Sequence, residues 1–123
     1  MEKLNGKKKL IVSVFISGRG TNLKSLINFS KNKKSPIKIK LVVSNNSKAK
    51  GLKFSKKNKI ENFLINFKNK SYAESKVLKV LKNKKIELIC LAGFMKILSK
   101  NFVRNFKYSS FFVAKIQRIK YSS

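Results

Sequence analysis

Residues 10–30 read LIVSVFISGRGTNLKSLINFS, and this stretch decides the fold. Residues 10–16 are apolar, rich in β-branched side chains and bounded by lysines and glycines, which is typical of a buried strand. In residues 22–30 the apolar side chains recur at helical spacing, which predicts a helix. A strand, a glycine turn and a helix in this order predict the start of a βαβ unit.

The same alternation continues along the chain. Further strands are predicted at residues 37–43, 60–65 and 86–92, and helices at 49–57, at 72–81 and in a segment ending near Phe106. This order predicts an α/β fold, a Rossmann-like parallel sheet with flanking helices. Ligands of such sheets bind beyond the carboxyl ends of the strands. The loops at residues 17–22, 44–47 and 93–98 are therefore the expected ligand loops.

The first of these loops carries Gly18 and Gly20 directly before the predicted helix. At such a turn the free backbone N–H groups and the helix dipole can hold a phosphate, and glycine permits a close approach. The alternative is a plain turn in which Thr21 or Asn22 caps the helix. A dinucleotide site is disfavoured, because Leu23 stands where a third glycine belongs and no acidic residue ends the second strand.

The loop after the third clear strand belongs to the segment LAGFMKIL, residues 91–98. Its glycine turn is expected to expose Phe94 and Met95, a soft apolar surface suited to a flat aromatic ligand. The alternative is that both side chains belong to the core.

Three segments together resemble one family: ISGRGTNL at residues 16–23, VSN at 43–45 and LAGFMKIL at 91–98. In order and strand context they are similar to the phosphoribosylglycinamide formyltransferases that depend on 10-formyltetrahydrofolate. The resemblance implies that residues 1–107 form the N-terminal domain of that family. It implies a phosphate site for glycinamide ribonucleotide at Gly20, Thr21 and Asn22. It implies folate contacts at Met95, Lys96, Ile97 and Leu98, with Lys70 as a further basic contact.

The implied reaction moves a formyl group from 10-formyltetrahydrofolate to the amine of glycinamide ribonucleotide in de novo purine biosynthesis, with no metal. In the family a strand reading NIHPSLLP follows, with an asparagine that stabilises the oxyanion and a histidine that moves protons. An aspartate further on tunes that histidine. This chain contains no histidine. The resemblance therefore implies a truncated domain that lacks the catalytic residues and is inactive.

From residue 108 the chain reads YSSFFVAKIQRIKYSS in place of the family segment. The family text NIHPSLLPKYKGLNTH, written in freely chosen synonymous codons and read two bases later, translates to residues 108–122 without a mismatch. Residues 108–123 are therefore interpreted as an out-of-frame tail. Ending the sheet near Phe106 is expected to leave an open edge and exposed apolar surface. The nucleotide sequence past codon 107, read in all three frames, would test the interpretation.

Composition bears on the rival functions. The formal charge of +27 comes with 31 basic residues, of which only Arg19, Arg104 and Arg118 are arginine. Lys, Asn, Ile and Phe share A/T-rich codons, so base composition explains much of the charge, and nucleic-acid readers favour arginine. A small basic α/β nucleic-acid-binding protein is nevertheless kept as the alternative. A related domain that binds a phosphorylated metabolite without catalysis is a third possibility.

Cys90 is the only cysteine, and its apolar surroundings predict a small buried hydrophobe rather than a metal ligand. The first apolar run is too short for a signal peptide, and no run approaches the length of a transmembrane helix. We therefore expect a cytoplasmic protein whose partners are small molecules, with no membrane and no specific nucleic acid.

Overall fold

A computed structural model of the protein describes residues 8–107 and 112–116. In these residues the strands are β1 (Leu10–Ile16), β2 (Ile37–Ser44), β3 (Glu61–Leu64), β4 (Leu88–Ala92) and β5 (Phe112–Ile116). The helices are α1 (Thr21–Ser30), α2 (Leu52–Lys57), α3 (Lys70–Asn83) and α4 (Lys100–Lys107). All strand pairs are parallel, in the order β3-β2-β1-β4-β5. The predicted α/β fold with a parallel sheet is confirmed.

Two hydrophobic cores cover the two faces of the sheet. Successive side chains of a strand point to opposite faces, so β1 contributes Val12, Val14 and Ile16 to one core and Phe15 to the other. Buried side chains of α1 and α2 complete the first core, and those of α3 and α4 complete the second. The central strands are consequently covered on both faces, which explains their nearly continuous apolar sequence.

Three elements begin later than the sequence pattern predicts, and one of them, β3, begins at Glu61 rather than at residue 60. Helix α2 begins at Leu52 rather than at residue 49, and the N–H of Gly51 before it donates to the carbonyl of Gly18 at 3.0 Å. Strand β4 begins at Leu88 rather than at residue 86, because the N–H of Ile86 donates to the carbonyl of Leu81 at 3.0 Å. In both places a hydrogen bond outside the predicted element holds the residue.

The sheet continues past the point where the sequence pattern predicts an open edge. β5 pairs with β4 in register from Leu88 opposite Phe112 to Ala92 opposite Ile116. The expectation that the sheet ends with β4 exposed is therefore wrong, because the apolar, strand-like sequence FVAKI supplies a fifth strand. The out-of-frame interpretation otherwise falls on residues 108–111 and 117–123, outside the described residues, and stays a prediction.

Cys90 lies in the first core, as predicted, and burial raises the pKa of its thiol. None of the helices in the described ranges combines the length and the apolar character needed to cross a bilayer.

Candidate functional site

Three loops that follow the central strands are joined through Ser17, which stands directly after β1. Its hydroxyl donates to Oδ1 of Asn45 in the loop after β2. The same hydroxyl accepts the backbone N–H of Met95, in the loop after β4, at 2.7 Å. The Ser17 carbonyl accepts from Nδ2 of Asn46 at 3.2 Å. The three predicted ligand loops therefore form one continuous surface at the carboxyl edge of the sheet.

In the first loop, residues 17–22, packing inside the chain leaves no room for a side chain at one of the two glycines, Gly20. Gly20 has φ 77°, and a Cβ added there would lie 2.3 Å from the Cα of Gly51. Gly18 differs, because a Cβ added there would meet no atom within 4 Å and its φ lies outside the left-handed range. In the structure Gly51 therefore approaches Gly20 closely, and the phosphate contact at Gly20 stays a prediction.

Helix α1 begins directly after this loop with Gly20 as its N-cap. The alternative in which Thr21 or Asn22 caps the helix is wrong, because both already lie in the first helical turn. A glycine N-cap offers no side-chain oxygen to the first amides, and the first turn carries no acidic residue. This end of the helix dipole is therefore suited to an anion from outside the chain.

The loop at residues 93–98 contains one aromatic side chain that packs against the core and several side chains that are exposed. Phe94 is half-buried and packs edge to face against Phe15 and Phe67, with ring centroids 5.4 Å apart in both pairs. Met95 is 78% exposed and Ile97 is 81% exposed. The expected exposure of Met95 is confirmed, whereas Phe94 fixes the loop to the second core. Lys96 is also exposed, and Leu98 is half-buried against that core.

Lys70, the remaining predicted folate contact, is the exposed first residue of α3. It lines a groove of about 480 Å³ between α3 and α4, together with Glu74, Ser99 and Phe102. Glu74 is 7% exposed, and its carboxylate accepts the N–H of Ser99 at 2.7 Å and the Ser99 hydroxyl at 2.6 Å. The start of α3 is thereby held beside the residue that follows the loop at 93–98.

Sequence reasoning missed two residues that organise this edge, Ser17 as a junction and Glu74 as a clamp on Ser99. Ser17 was placed only at the start of a ligand loop, and its partners lie 28 and 78 residues away in the chain. Glu74 stands in a helix of mostly polar residues, and its partner is 25 residues away. Periodicity reports local structure, so it carries no signal for either contact.

A parallel α/β sheet with helices on both faces defines a domain of the Rossmann-like class, in which ligands bind beyond the carboxyl ends of the strands. At that edge this domain has a helix start without a side-chain cap and a loop with exposed apolar side chains. Residues 9–113 match the formyl transferase family. The chain therefore belongs to that family, and the resemblance drawn from its three sequence segments is confirmed.

Named relatives agree with this assignment. The trifunctional purine biosynthetic protein adenosine-3 of Gallus gallus is 43% identical over 102 residues, which cover 80% of this chain and 10% of that protein. The phosphoribosylglycinamide formyltransferase of Haemophilus influenzae is 36% identical over 98 residues, which cover 77% of this chain and 46% of that enzyme. The crystal structure of the Brucella melitensis enzyme of the same name has a TM-score of 0.78 and 32% identity, covering 81% of this chain and 54% of its own. The chain thus spans about half of the single-function relatives and a tenth of the trifunctional one.

Proposed function

We propose that this chain binds glycinamide ribonucleotide and 10-formyltetrahydrofolate for the formyl transfer step of de novo purine biosynthesis. The observation that carries the proposal is the hydrogen bond from the Met95 N–H to Ser17, which brings two family segments 78 residues apart to one edge. The names of the relatives support formyl transfer to phosphoribosylglycinamide and a role in purine biosynthesis, and the formyl transferase family supports a formyl donor such as 10-formyltetrahydrofolate. Both substrates are small molecules, and we propose a cytoplasmic location for the protein.

In this proposal the ribonucleotide phosphate lies at the start of α1, with Gly20, Thr21 and Asn22 as its contacts. The first-turn amides and the positive end of the helix dipole would hold the phosphate oxygens. Thr21 is exposed, so its hydroxyl is accessible from solvent. The contribution of Gly20 is to turn the backbone in the left-handed region while Gly51 packs against it.

The folate would lie on the loop at 93–98, with contacts to Met95, Lys96, Ile97 and Leu98. Exposed Met and Ile side chains suit the face of a flat ring, because a thioether is polarizable and adapts to the ligand surface. Lys70 would meet the negative end of the same ligand from the start of α3. The groove that it lines contains two further lysines, Lys79 and Lys82.

The phosphate site is tested most cleanly at Gly18, because Gly20→Val would disturb the packing on Gly51 whether or not a ligand binds. Gly18→Val adds a branched side chain in open space, where it can obstruct a ligand without striking the protein. We expect calorimetry with glycinamide ribonucleotide to show affinity at least about tenfold weaker, because close approach to the backbone is lost.

Asn28→Val is the matched control, since it adds the same side chain at an exposed position in the last turns of α1. Its affinity for the ribonucleotide should equal that of the unchanged chain. Equal affinities for all three proteins, each folded by circular dichroism, would refute the phosphate site.

We further propose that the 123-residue chain itself does not turn over substrate, because it contains no histidine. Proton transfer at neutral pH depends on a group that titrates there, and only His does so without a perturbed environment. Loss of the general acid-base group costs about 10² to 10⁴ in rate, and loss of an oxyanion asparagine about 10² to 10³ more. Folate-dependent formylation of glycinamide ribonucleotide should therefore be undetectable.

The matched protein for that assay carries the family reading frame after residue 107, together with the downstream coding sequence. Formylation should appear in this longer protein. Activity in the 123-residue chain would overturn the out-of-frame interpretation of residues 108–123, and so would a nucleotide sequence without the family segment in any frame.

The charge of +27 favours a second candidate, binding to nucleic acid. Such binding would weaken steeply with salt, because each neutralised phosphate releases counterions. Electrophoretic shifts of generic duplexes at about 50 and 200 mM salt separate the two functions. Tight duplex binding without affinity for the ribonucleotide would favour the second candidate.

A further inference from the structure

Ser17 is placed to act on both proposed substrate sites, although it belongs to neither set of contacts. It directly precedes the glycine loop at the start of α1, and its hydroxyl holds the backbone of Met95 in the other loop. On the basis of the proposed function, we infer that Ser17 is a positioning residue that couples the two sites. Occupancy of the phosphate site raises affinity at the loop 93–98, and the reverse holds equally, because coupling free energy is reciprocal.

The geometry gives the Ser17 hydroxyl one productive orientation. Its proton points to Oδ1 of Asn45, which leaves an oxygen lone pair for the N–H of Met95. A serine side chain has three staggered rotamers, and a rotation of χ1 moves the hydroxyl oxygen away from this pair of partners. The side chain is buried at the base of the three loops, so water competes little for its bonds.

The middle of the loop at 93–98 depends on this bond, because the loop packs against the second core only through Phe94 and Leu98 among the described residues. Gly93 has φ 75°, and a Cβ added there would have no atom within 4 Å. Met95, Lys96 and Ile97 are all exposed. Phe94 anchors the loop through its ring contacts, and the Met95 N–H anchors it through Ser17. A phosphate that fixes the backbone after Ser17 therefore also fixes one of the anchors of the folate loop. The second ligand then meets a loop that has already lost part of its conformational entropy.

Ser13, in the strand that Ser17 follows, supplies the matched control. Ser13 is buried, as is Ser17, but its hydroxyl has no hydrogen-bond partner among the described residues. Ser13→Ala and Ser17→Ala remove the same atom from β1 and from the residue directly after it. Only the second change removes bonds to the other loops.

The test is calorimetry on the 123-residue chain, with the affinity for glycinamide ribonucleotide measured with and without saturating 10-formyltetrahydrofolate. We expect folate to tighten ribonucleotide binding about fivefold or more in the unchanged chain and in Ser13→Ala, the range of ordinary allosteric coupling. In Ser17→Ala the ratio of the two affinities should fall to about one. Ser17→Thr, which keeps a hydroxyl, should recover part of the coupling.

Amide hydrogen exchange of Met95 gives a second measurement that needs no variant. In the unchanged chain the ribonucleotide alone should slow exchange at Met95, and an unchanged rate would overturn the inference. Binding of both ligands with equal coupling in the unchanged chain and Ser17→Ala would overturn the inference and leave the proposed function standing. Failure of both ligands to bind would overturn the proposed function and the inference together.

Discussion

At the carboxyl edge of the sheet the residues in left-handed backbone conformation are glycines, whereas at the amino edge they are lysines. Gly20 and Gly93, with φ 77° and 75°, follow β1 and β4. Lys59 and Lys85, with φ 57° and 58°, precede β3 and β4. The same backbone requirement is therefore met by different residues at the two edges. The difference reflects what surrounds each position.

At the amino edge each left-handed residue lies at the end of a helix and serves to terminate it. The N–H of Ile60 donates to the carbonyl of Ser55 at 2.9 Å, and the N–H of Ile86 donates to that of Leu81 at 3.0 Å. Both are the long hydrogen bond of a Schellman ending, in which glycine is preferred because it has no Cβ. A lysine there costs about 1–2 kcal/mol of strain, but its side chain extends into solvent and clashes with nothing.

At the carboxyl edge the two left-handed glycines differ in their surroundings. Gly20 is packed against Gly51 inside the chain, so a side chain there would collide with the backbone. Gly93 has open space around it, so its surroundings within the chain do not exclude a side chain. Close packing therefore requires glycine at position 20, whereas left-handed conformation alone does not require glycine, as Lys59 and Lys85 show.

The largest effect is expected at the contact between Gly20 and Gly51. Gly20→Val adds left-handed strain of about 1–2 kcal/mol. Overpacking against the Cα of Gly51 adds about 1–3 kcal/mol. Urea denaturation should show a loss of about 2–5 kcal/mol in the free energy of unfolding, or no folded protein at all. Gly18→Ala, with neither constraint, should stay within about 0.5 kcal/mol of the unchanged chain. Equal losses of stability for the two changes would contradict the claim that Gly20, unlike Gly18, is required by close packing.

The sequence allowed the parallel sheet and the loops at its carboxyl edge to be predicted, but neither the strand order nor the contacts between those loops. β1 was predicted to the residue, because a buried central strand has an unbroken apolar sequence. The start of α3 was placed two residues late, because Asn69 caps the helix by accepting the N–H of Tyr72 at 3.0 Å, three positions before the apolar pattern begins.

The contacts that assemble the site could not be predicted, because they join residues far apart through polar atoms. Ser17 and Met95 are paired only once the sheet places β1 beside β4. The packing of Gly51 on Gly20 was not predicted either, since no local pattern shows that Gly51 returns to that position. The sheet topology was enough to predict which edge carries the candidate site, whereas the contacts at that edge depend on tertiary packing.

The second prediction compares one glutamate from each edge. At the carboxyl edge Glu74→Gln removes one of two charge-assisted acceptors for Ser99 in a buried setting, and should cost about 1–3 kcal/mol of stability. Glu61 is paired with Lys84 at 2.6 Å, but its side chain is 60% exposed. Glu61→Gln should therefore cost only about 0.2–1 kcal/mol. Thermal denaturation of both variants measures the difference, and a larger loss for Glu61→Gln would contradict the stated burial argument.

The smallest effect is a gain in stability at the amino edge. Lys85→Gly removes left-handed strain of about 1–2 kcal/mol. It also raises the conformational entropy of the unfolded chain, which lowers stability by about 0.5–1 kcal/mol. The net gain in the free energy of unfolding should be about 0.5–1 kcal/mol, and Lys59→Gly should behave alike. Lys82→Gly is the control, because Lys82 lies within the last turn of α3 and glycine should cost about 0.5–1 kcal/mol there. The opposite signs at Lys82 and Lys85, measured by urea denaturation, separate relief of strain from removal of positive charge, which both changes share. A loss of stability at both positions would show that the lysine charge or its aliphatic chain, rather than backbone strain, governs these turns.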